Sequence, residues 1–199
     1  MRSKITNNIL NLLSKNGVFK NEDDKEIIKY GIETFYIIIT KIILLSLITF
    51  LLGIVKEFML FFFTYGIIRS FSFGAHASKS WICNVISIII FIFIPLLCKY
   101  MTVSKYLILF IEIGLSIIFI LYSPADTTNR PIVSKKRRLI YKIVTLCTLF
   151  IYVVLGYFID SSFISNCLFL SIVVQGVMIL PITYLLLGQT YANYKTYAG

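Results

Sequence analysis

The stretch Trp81-Ile-Cys-Asn-Val-Ile-Ser-Ile-Ile-Ile-Phe-Ile-Phe-Ile-Pro-Leu-Leu97 contains no charged residue and does not alternate apolar with polar side chains. A run of that kind meets the roughly 17–25 residues that a helix needs to cross a bilayer. Membrane strands, by contrast, alternate their two faces. The rest of the chain follows the same pattern. Of its 199 residues 58% are hydrophobic and only 14% are charged, where a soluble domain keeps about a quarter charged.

Working outward, similar apolar runs fall at Phe35–Ile54, Phe58–Phe73, Tyr106–Tyr122, Leu139–Phe158 and Phe163–Leu187. The predicted fold is all-α, a polytopic integral membrane protein of about six transmembrane helices. Pro181 is expected to kink the last of them. Near the N-terminus Ile5, Ile9, Leu12 and Leu13 recur at helical spacing among Asn, Lys and Ser, which predicts an amphipathic helix lying in the membrane interface. No signal-peptide pattern opens the chain, and neither an internal repeat nor a soluble domain interrupts it.

The net charge of +10 does not point to nucleic acid, because the basic residues flank apolar spans, where they set topology. They gather in the N-terminal segment (Arg2, Lys4, Lys15, Lys20, Lys25, Lys29) and in the loop before the fifth span (Arg130, Lys135, Lys136, Arg137, Arg138). The loop after the fifth span carries Asp160 and no basic residue. The positive-inside rule then puts both termini in the cytoplasm, with Lys56, Lys99 and Lys105 as outside lysines that the rule does not favour. Cys83, Cys98, Cys147 and Cys167 stand far apart with one histidine in the chain, so no metal site and no cofactor are expected. Cys98, Cys147 and Cys167 read as small buried hydrophobes.

The approach to the third span holds the chemistry. Ser72-Phe-Gly-Ala-His-Ala-Ser-Lys-Ser-Trp-Ile-Cys83 contains the lone histidine, His76, and Cys83. An imidazole and a thiol are the minimum for thiolate nucleophilic catalysis, since the base generates the attacking thiolate. On an unbroken helix the two would share a face about 10 Å apart, too far for contact. Gly74, Ser78 and Ser80 favour a turn instead, with His76 on a loop folding back over Cys83 near a helix N-terminus. A structural role for both residues is the alternative. The span before this loop is irregular: its apolar stretch Phe58–Ile68 is short and Arg69, Ser70 and Ser72 follow. Arg69 either snorkels to the phosphate level or serves a polar cavity. Lys41 and Glu112 fall within apolar runs, where opposite charges pair or bind a charged substrate group.

Gly74-Ala-His-Ala77 with Cys83 downstream and Arg69 upstream, together with Ser123-Pro-Ala-Asp-Thr-Thr-Asn-Arg-Pro131, resembles the AgrB family (accessory gene regulator protein B). The resemblance extends over nearly the whole chain and implies a single AgrB-like membrane domain over residues 1–199 in a bacterial cell membrane. It also implies that His76 and Cys83 are the catalytic pair of a membrane cysteine endopeptidase. That enzyme would cleave a short AgrD-like quorum-sensing precursor through a thioester and support its cyclisation to a thiolactone or lactone. Asp126 would then be the candidate to orient the imidazole, or simply a turn residue in its loop. Arg69 would bind a substrate carboxylate or help stabilise the oxyanion. Lys135, Lys136, Arg137 and Arg138 would collect an acidic precursor tail, or act only as a topology signal that meets membrane lipid. A homodimer stays open. The alternative from another class is a non-enzymatic six-helix substrate-binding component of a small-molecule transporter, with Lys41 and Glu112 binding and Cys83 inert.

Overall fold

The computed structural model describes residues 2–15, 22–77, 80–127 and 131–197. Among these residues five helices are long and apolar enough to cross a membrane, namely Asp24–Leu51, Trp81–Tyr100, Lys105–Tyr122, Lys135–Phe158 and Ser162–Ile179. This is an all-α membrane protein. The chain divides into two compact units, residues 1–51 and 52–199.

In the first unit α1 (Arg2–Lys15) packs against α2 (Glu22–Leu51). Leu10 of α1 is buried while Ile9 and Leu12 stay exposed, the disposition a helix resting on a membrane surface needs. The acidic stretch from Glu22 forms the first turns of α2, so this helix starts well before the predicted span. Its large exposed side chains, such as Phe35, Ile43 and Phe50, suit a lipid environment.

The second unit is built around α8 (Ser162–Ile179), which is contacted by α3 (Val55–Ser72), α5 (Ile94–Tyr100), α6 (Lys105–Tyr122) and α7 (Lys135–Phe158). Residues 165–172 of α8 are all buried. Lipid is as apolar as leucine, so burial alone does not draw membrane helices together; close packing and interhelical hydrogen bonds do. α8 supplies both. Ser171 Oγ lies 2.8 Å from Thr64 Oγ1 of α3, and Ser165 Oγ donates to the Gly156 carbonyl of α7. Asn166 Nδ2 donates to the carbonyls of Cys98 and Met101, where α5 ends. Tyr152 of α7 closes the set by donating to the Thr64 carbonyl at 2.8 Å.

Three elements differ from the sequence expectation. The predicted second span is α3, as long as α8 at 18 residues, but Lys56, Glu57 and Arg69 sit near its ends and set it apart from the five apolar helices. The third span begins as α4 (Ser80–Ile88) and widens to a π-helical turn at Ile89–Phe93 before continuing as α5. Pro95, which cannot donate to the ladder and crowds the carbonyl a turn before it, accounts for that widening. Pro181 does more than kink the last span. Leu180 is forced into an extended conformation (φ −67°, ψ 139°), α8 stops, and a separate short helix α9 (Pro181–Leu186) follows. A residue before proline avoids the α region.

Two of the three lysines that fit poorly with the topology rule, Lys99 and Lys105, are locally paired. Lys99 Nζ lies 3.3 Å from Glu57 of α3, and Lys105 Nζ lies 3.5 Å from Asp160 and 3.0 Å from the Ile159 carbonyl. Cys98 and Cys167 are fully buried as expected, whereas Cys147 is exposed on α7. Glu112 is buried on α6, and its Oε1 has no hydrogen-bond partner among the described residues. Lys41, its expected partner, belongs to the other unit.

Asn166→Leu should remove both bonds to the end of α5 and lower stability by about 1–2 kcal/mol, the upper range for interhelical hydrogen bonds in membranes. Thermal unfolding in detergent measures this. An unfolding midpoint equal to that of wild type would show that packing alone seats α8.

Candidate active site at the exit of α3

α3 ends at Ser72, and the chain leaves it through two left-handed residues, Phe73 (φ 58°) and Gly74 (φ 123°). Residues 74–77 are non-helical, and the next helix, α4, starts at Ser80. His76 therefore stands off the helix, exposed, and Cys83 lies in the first turn of α4, half-buried. The unbroken helix that would hold the two about 10 Å apart does not form. Ser78 and Lys79, within the predicted turn, lie outside the described residues. The Cys83 carbonyl accepts from Ser87 Oγ at 2.7 Å.

The backbone leading to His76 is held from three directions. The Gly74 amide donates to the Ala125 carbonyl and the Ala125 amide to the Ser72 carbonyl, both at 2.9 Å, forming the parallel bridge between Phe73 and Ala125. The Ala75 amide donates to the Met178 carbonyl at 2.9 Å. That carbonyl lies in the last turn of α8, where an uncapped helix leaves acceptors open, so the break at Pro181 gives α8 a free end to offer. From below, Gln175 Nε2 of α8 donates to Ser72 Oγ (2.6 Å) and to the Phe73 carbonyl (2.5 Å).

Arg69 reaches past the end of its own helix. Its Nη2 donates to the Ala75 carbonyl at 2.8 Å, and Nη1 reaches Gln175 Oε1 at 3.5 Å. It closes the turn that leads to His76. Asp126 is likewise occupied. Its carboxylate, 2% exposed, accepts from the backbone amides of Ile132 (3.3 Å), Asn193 (3.0 Å) and Tyr194 (2.8 Å). These bonds tie the loop after α6 to the C-terminal segment. Tyr184 of α9, fully buried, donates to the carbonyls of Ala125 and Asp126. Asp126 thus reaches the histidine segment through the backbone of its loop.

The basic cluster divides in two. Lys135 and Arg138, with Lys142 a further turn along α7, line a pocket of about 290 Å³ between α6, α7 and the C-terminal segment. Lys136 and Arg137 are exposed and do not line it. Arg138 stacks over the Tyr194 ring, its guanidinium carbon 3.3 Å from the centroid. Burial raises the Tyr191 phenol in the same wall above its ordinary value, so it stays a neutral donor. Sequence reasoning did not single out Gln175, Tyr184 or Lys142. The signal for Gln175 was a lone amide in the last turns of an apolar span, and for Lys142 its seven-residue spacing from Lys135.

Gly74 is the tightest point. A Cβ there would sit 2.9 Å from Arg69 Nη1 and 3.0 Å from the Met178 carbonyl oxygen, on a backbone conformation that L side chains rarely adopt. Gly74→Ala should cost on the order of 1–3 kcal/mol and raise hydrogen exchange at the amides of residues 74 and 75. Gly66→Ala, whose Cβ meets nothing within 4 Å, should not. Unchanged protection in Gly74→Ala would refute the crowding described.

Comparison with known proteins identifies a family. The profile of the accessory gene regulator B family matches residues 6–179. A Clostridium acetobutylicum protein named AgrB-like is 32% identical over 167 residues, covering 84% of this chain and 80% of its own. A Listeria monocytogenes serotype 4a protein of the same name is 26% identical over 186 residues, covering 94% and 91%. One from Clostridium perfringens strain SM101 is 36% identical over 126 residues, or 59% and 58% of the two chains. No solved structure gives a significant match. With its profile matched from the first helix to the end of α8, this membrane protein belongs to the AgrB family.

Proposed function

We propose that this protein is a membrane cysteine endopeptidase that processes an AgrD-like quorum-sensing precursor, with His76 and Cys83 as its catalytic residues. The observation that carries the reading is the exit of α3. A chain of the AgrB family spends Arg69, Gln175, Gly74 and the end of α8 on holding the backbone immediately before its one histidine. Cys83 lies in the first turn of the next helix.

In this mechanism the imidazole takes the thiol proton, and the Cys83 thiolate attacks the carbonyl carbon of the scissile peptide bond. The first-turn amides of α4, at the positive end of the helix dipole, are the donors assigned to the charge that develops on the carbonyl oxygen. His76 returns the proton to the departing amine, and the C-terminal fragment leaves. The retained acyl group is then a thioester on Cys83. A thiol or hydroxyl within the retained peptide gives its proton to His76 and attacks the thioester carbonyl, closing a thiolactone or lactone as the bond to Cys83 breaks and its thiolate is released. Thioester exchange with a thiol is nearly isoenergetic, so that closure needs no coupled energy source. Arg69 and Asp126 serve as positioning residues, acting through the backbone of residues 72–75 and 125–126. Lys136 and Arg137, exposed beside the site's end of the bundle, collect the acidic tail from the cytoplasm, where both termini also lie.

Cys83→Ala and His76→Ala should each reduce precursor cleavage by about a thousandfold or more, while Cys98→Ala, Cys147→Ala and Cys167→Ala retain most activity. A hydroxylamine-sensitive peptide adduct should form on wild type and not on Cys83→Ala. Normal cleavage by Cys83→Ala would sink the mechanism and leave the transporter-component reading in its place.

Charge reversal at Lys136 and Arg137 should raise the apparent KM more than it lowers kcat, because tail capture precedes the transition state. Salt should weaken capture by wild type, as for charges screened over roughly 8–10 Å. A cysteine at position 136 should react with an impermeant reagent from the cytoplasmic side. KM unchanged across salt and variants, or labelling from the outside, would remove the cluster from substrate capture.

A further inference from the structure

The pocket between α6, α7 and the C-terminal segment has a lining that tail capture does not explain. Lys135, Arg138 and Lys142 recur at helical spacing, so their charges descend along α7 by about 10 Å from first to last. This carries cationic charge from the helix start into the part of α7 that crosses the bilayer. Among the cations lie Leu121 and Leu139, which are 65% and 59% exposed. Asp126, which also lines the pocket, has its carboxylate bonded to the amides of Ile132, Asn193 and Tyr194. Tyr191 and the stacked pair Arg138–Tyr194 form the wall on the C-terminal side.

A water-borne acidic peptide meets the outer cations, Lys136 and Arg137, first. It needs neither a lysine two turns into a spanning helix nor exposed leucines. An amphiphile needs both. We propose that this pocket binds the headgroup phosphate of an anionic phospholipid, held by Lys135, Arg138 and Lys142, with its acyl chains running along Leu121 and Leu139. Basic pockets between transmembrane helices are suited to anionic headgroups. Interfacial tyrosines place the wall at headgroup depth. The ligand would rest against Ala125 and Asp126, whose backbone carries the bridge to the His76 segment. Bound lipid would therefore brace the segment that positions the site.

The test is direct binding, independent of peptidase activity. Full-length protein in nonionic detergent is titrated with dioctanoylphosphatidylglycerol or dioctanoylphosphatidylcholine while its thermal unfolding midpoint is followed. The glycerol lipid should give a saturable rise and the choline lipid none. The double variant Arg138→Gln/Lys142→Gln should weaken the apparent affinity about tenfold or more, and Lys136→Gln should leave it unchanged. If the double variant does not purify, Leu139→Glu gives the same reading, because that side chain is exposed and its charge repels the lipid. An equal midpoint rise with inorganic phosphate at matched concentration would make this a plain anion site and overturn the proposal. So would displacement of the lipid by a lower concentration of an acidic octapeptide, or an undiminished response in the substituted proteins.

Discussion

The structure depends on how the backbone is satisfied where the chain leaves α3. A helix end inside a membrane protein leaves carbonyls and amides without water to receive them, at several kcal/mol for each group left unpaired. Here the groups from Ser72 to Ala75 are met by Ala125, by Gln175, by Arg69 and by the Met178 carbonyl. The partners come from α3 itself, the loop after α6 and the last turns of α8, so those elements must arrive together. Gly74 makes the meeting possible because the approach leaves no room for a Cβ.

That requirement explains why the most buried helix also carries polar side chains around its whole circumference. Ser165, Asn166, Ser171 and Gln175 of α8 each bond to a neighbouring helix or to the segment that follows one. At one end α8 ties down α5 through Asn166, and at the other it receives the exit of α3. Pro181 ends α8 at the depth where Ala75 needs an acceptor. A continuous helix would have kept that carbonyl for itself.

Charge is distributed by end as well. At one end of the second unit Lys99 and Lys105 are answered by Glu57 and Asp160. At the other end, Lys136 and Arg137 face outward, Lys135 lines the pocket and Arg138 lies on an aromatic ring. A positive-inside count sees every lysine alike, but only the second group is left to act on lipid or substrate. The C-terminal segment, held to Asp126 by two amides, turns part of that group into a pocket.

Local pattern was enough for the apolar helices, the membrane setting, the family and the position of His76 and Cys83 on either side of a helix start. Those features are carried by neighbouring residues, through hydropathy, a glycine before a turn and the spacing of a motif. The work of Arg69 and Asp126 was not legible, because each bonds to backbone rather than to the groups its charge suggested. Gln175 and Tyr184 became visible only when segments about 60 to 100 residues apart were packed, and Lys142 only when the C-terminal segment closed its pocket. Likewise, Lys135 and Lys136 are adjacent in sequence, yet the turn of α7 faces one into the pocket and the other away. Residue type decided what chemistry was available at each position. Which partner receives it depended on helix packing, since an unsatisfied polar group in a bilayer takes whichever partner the fold brings within reach.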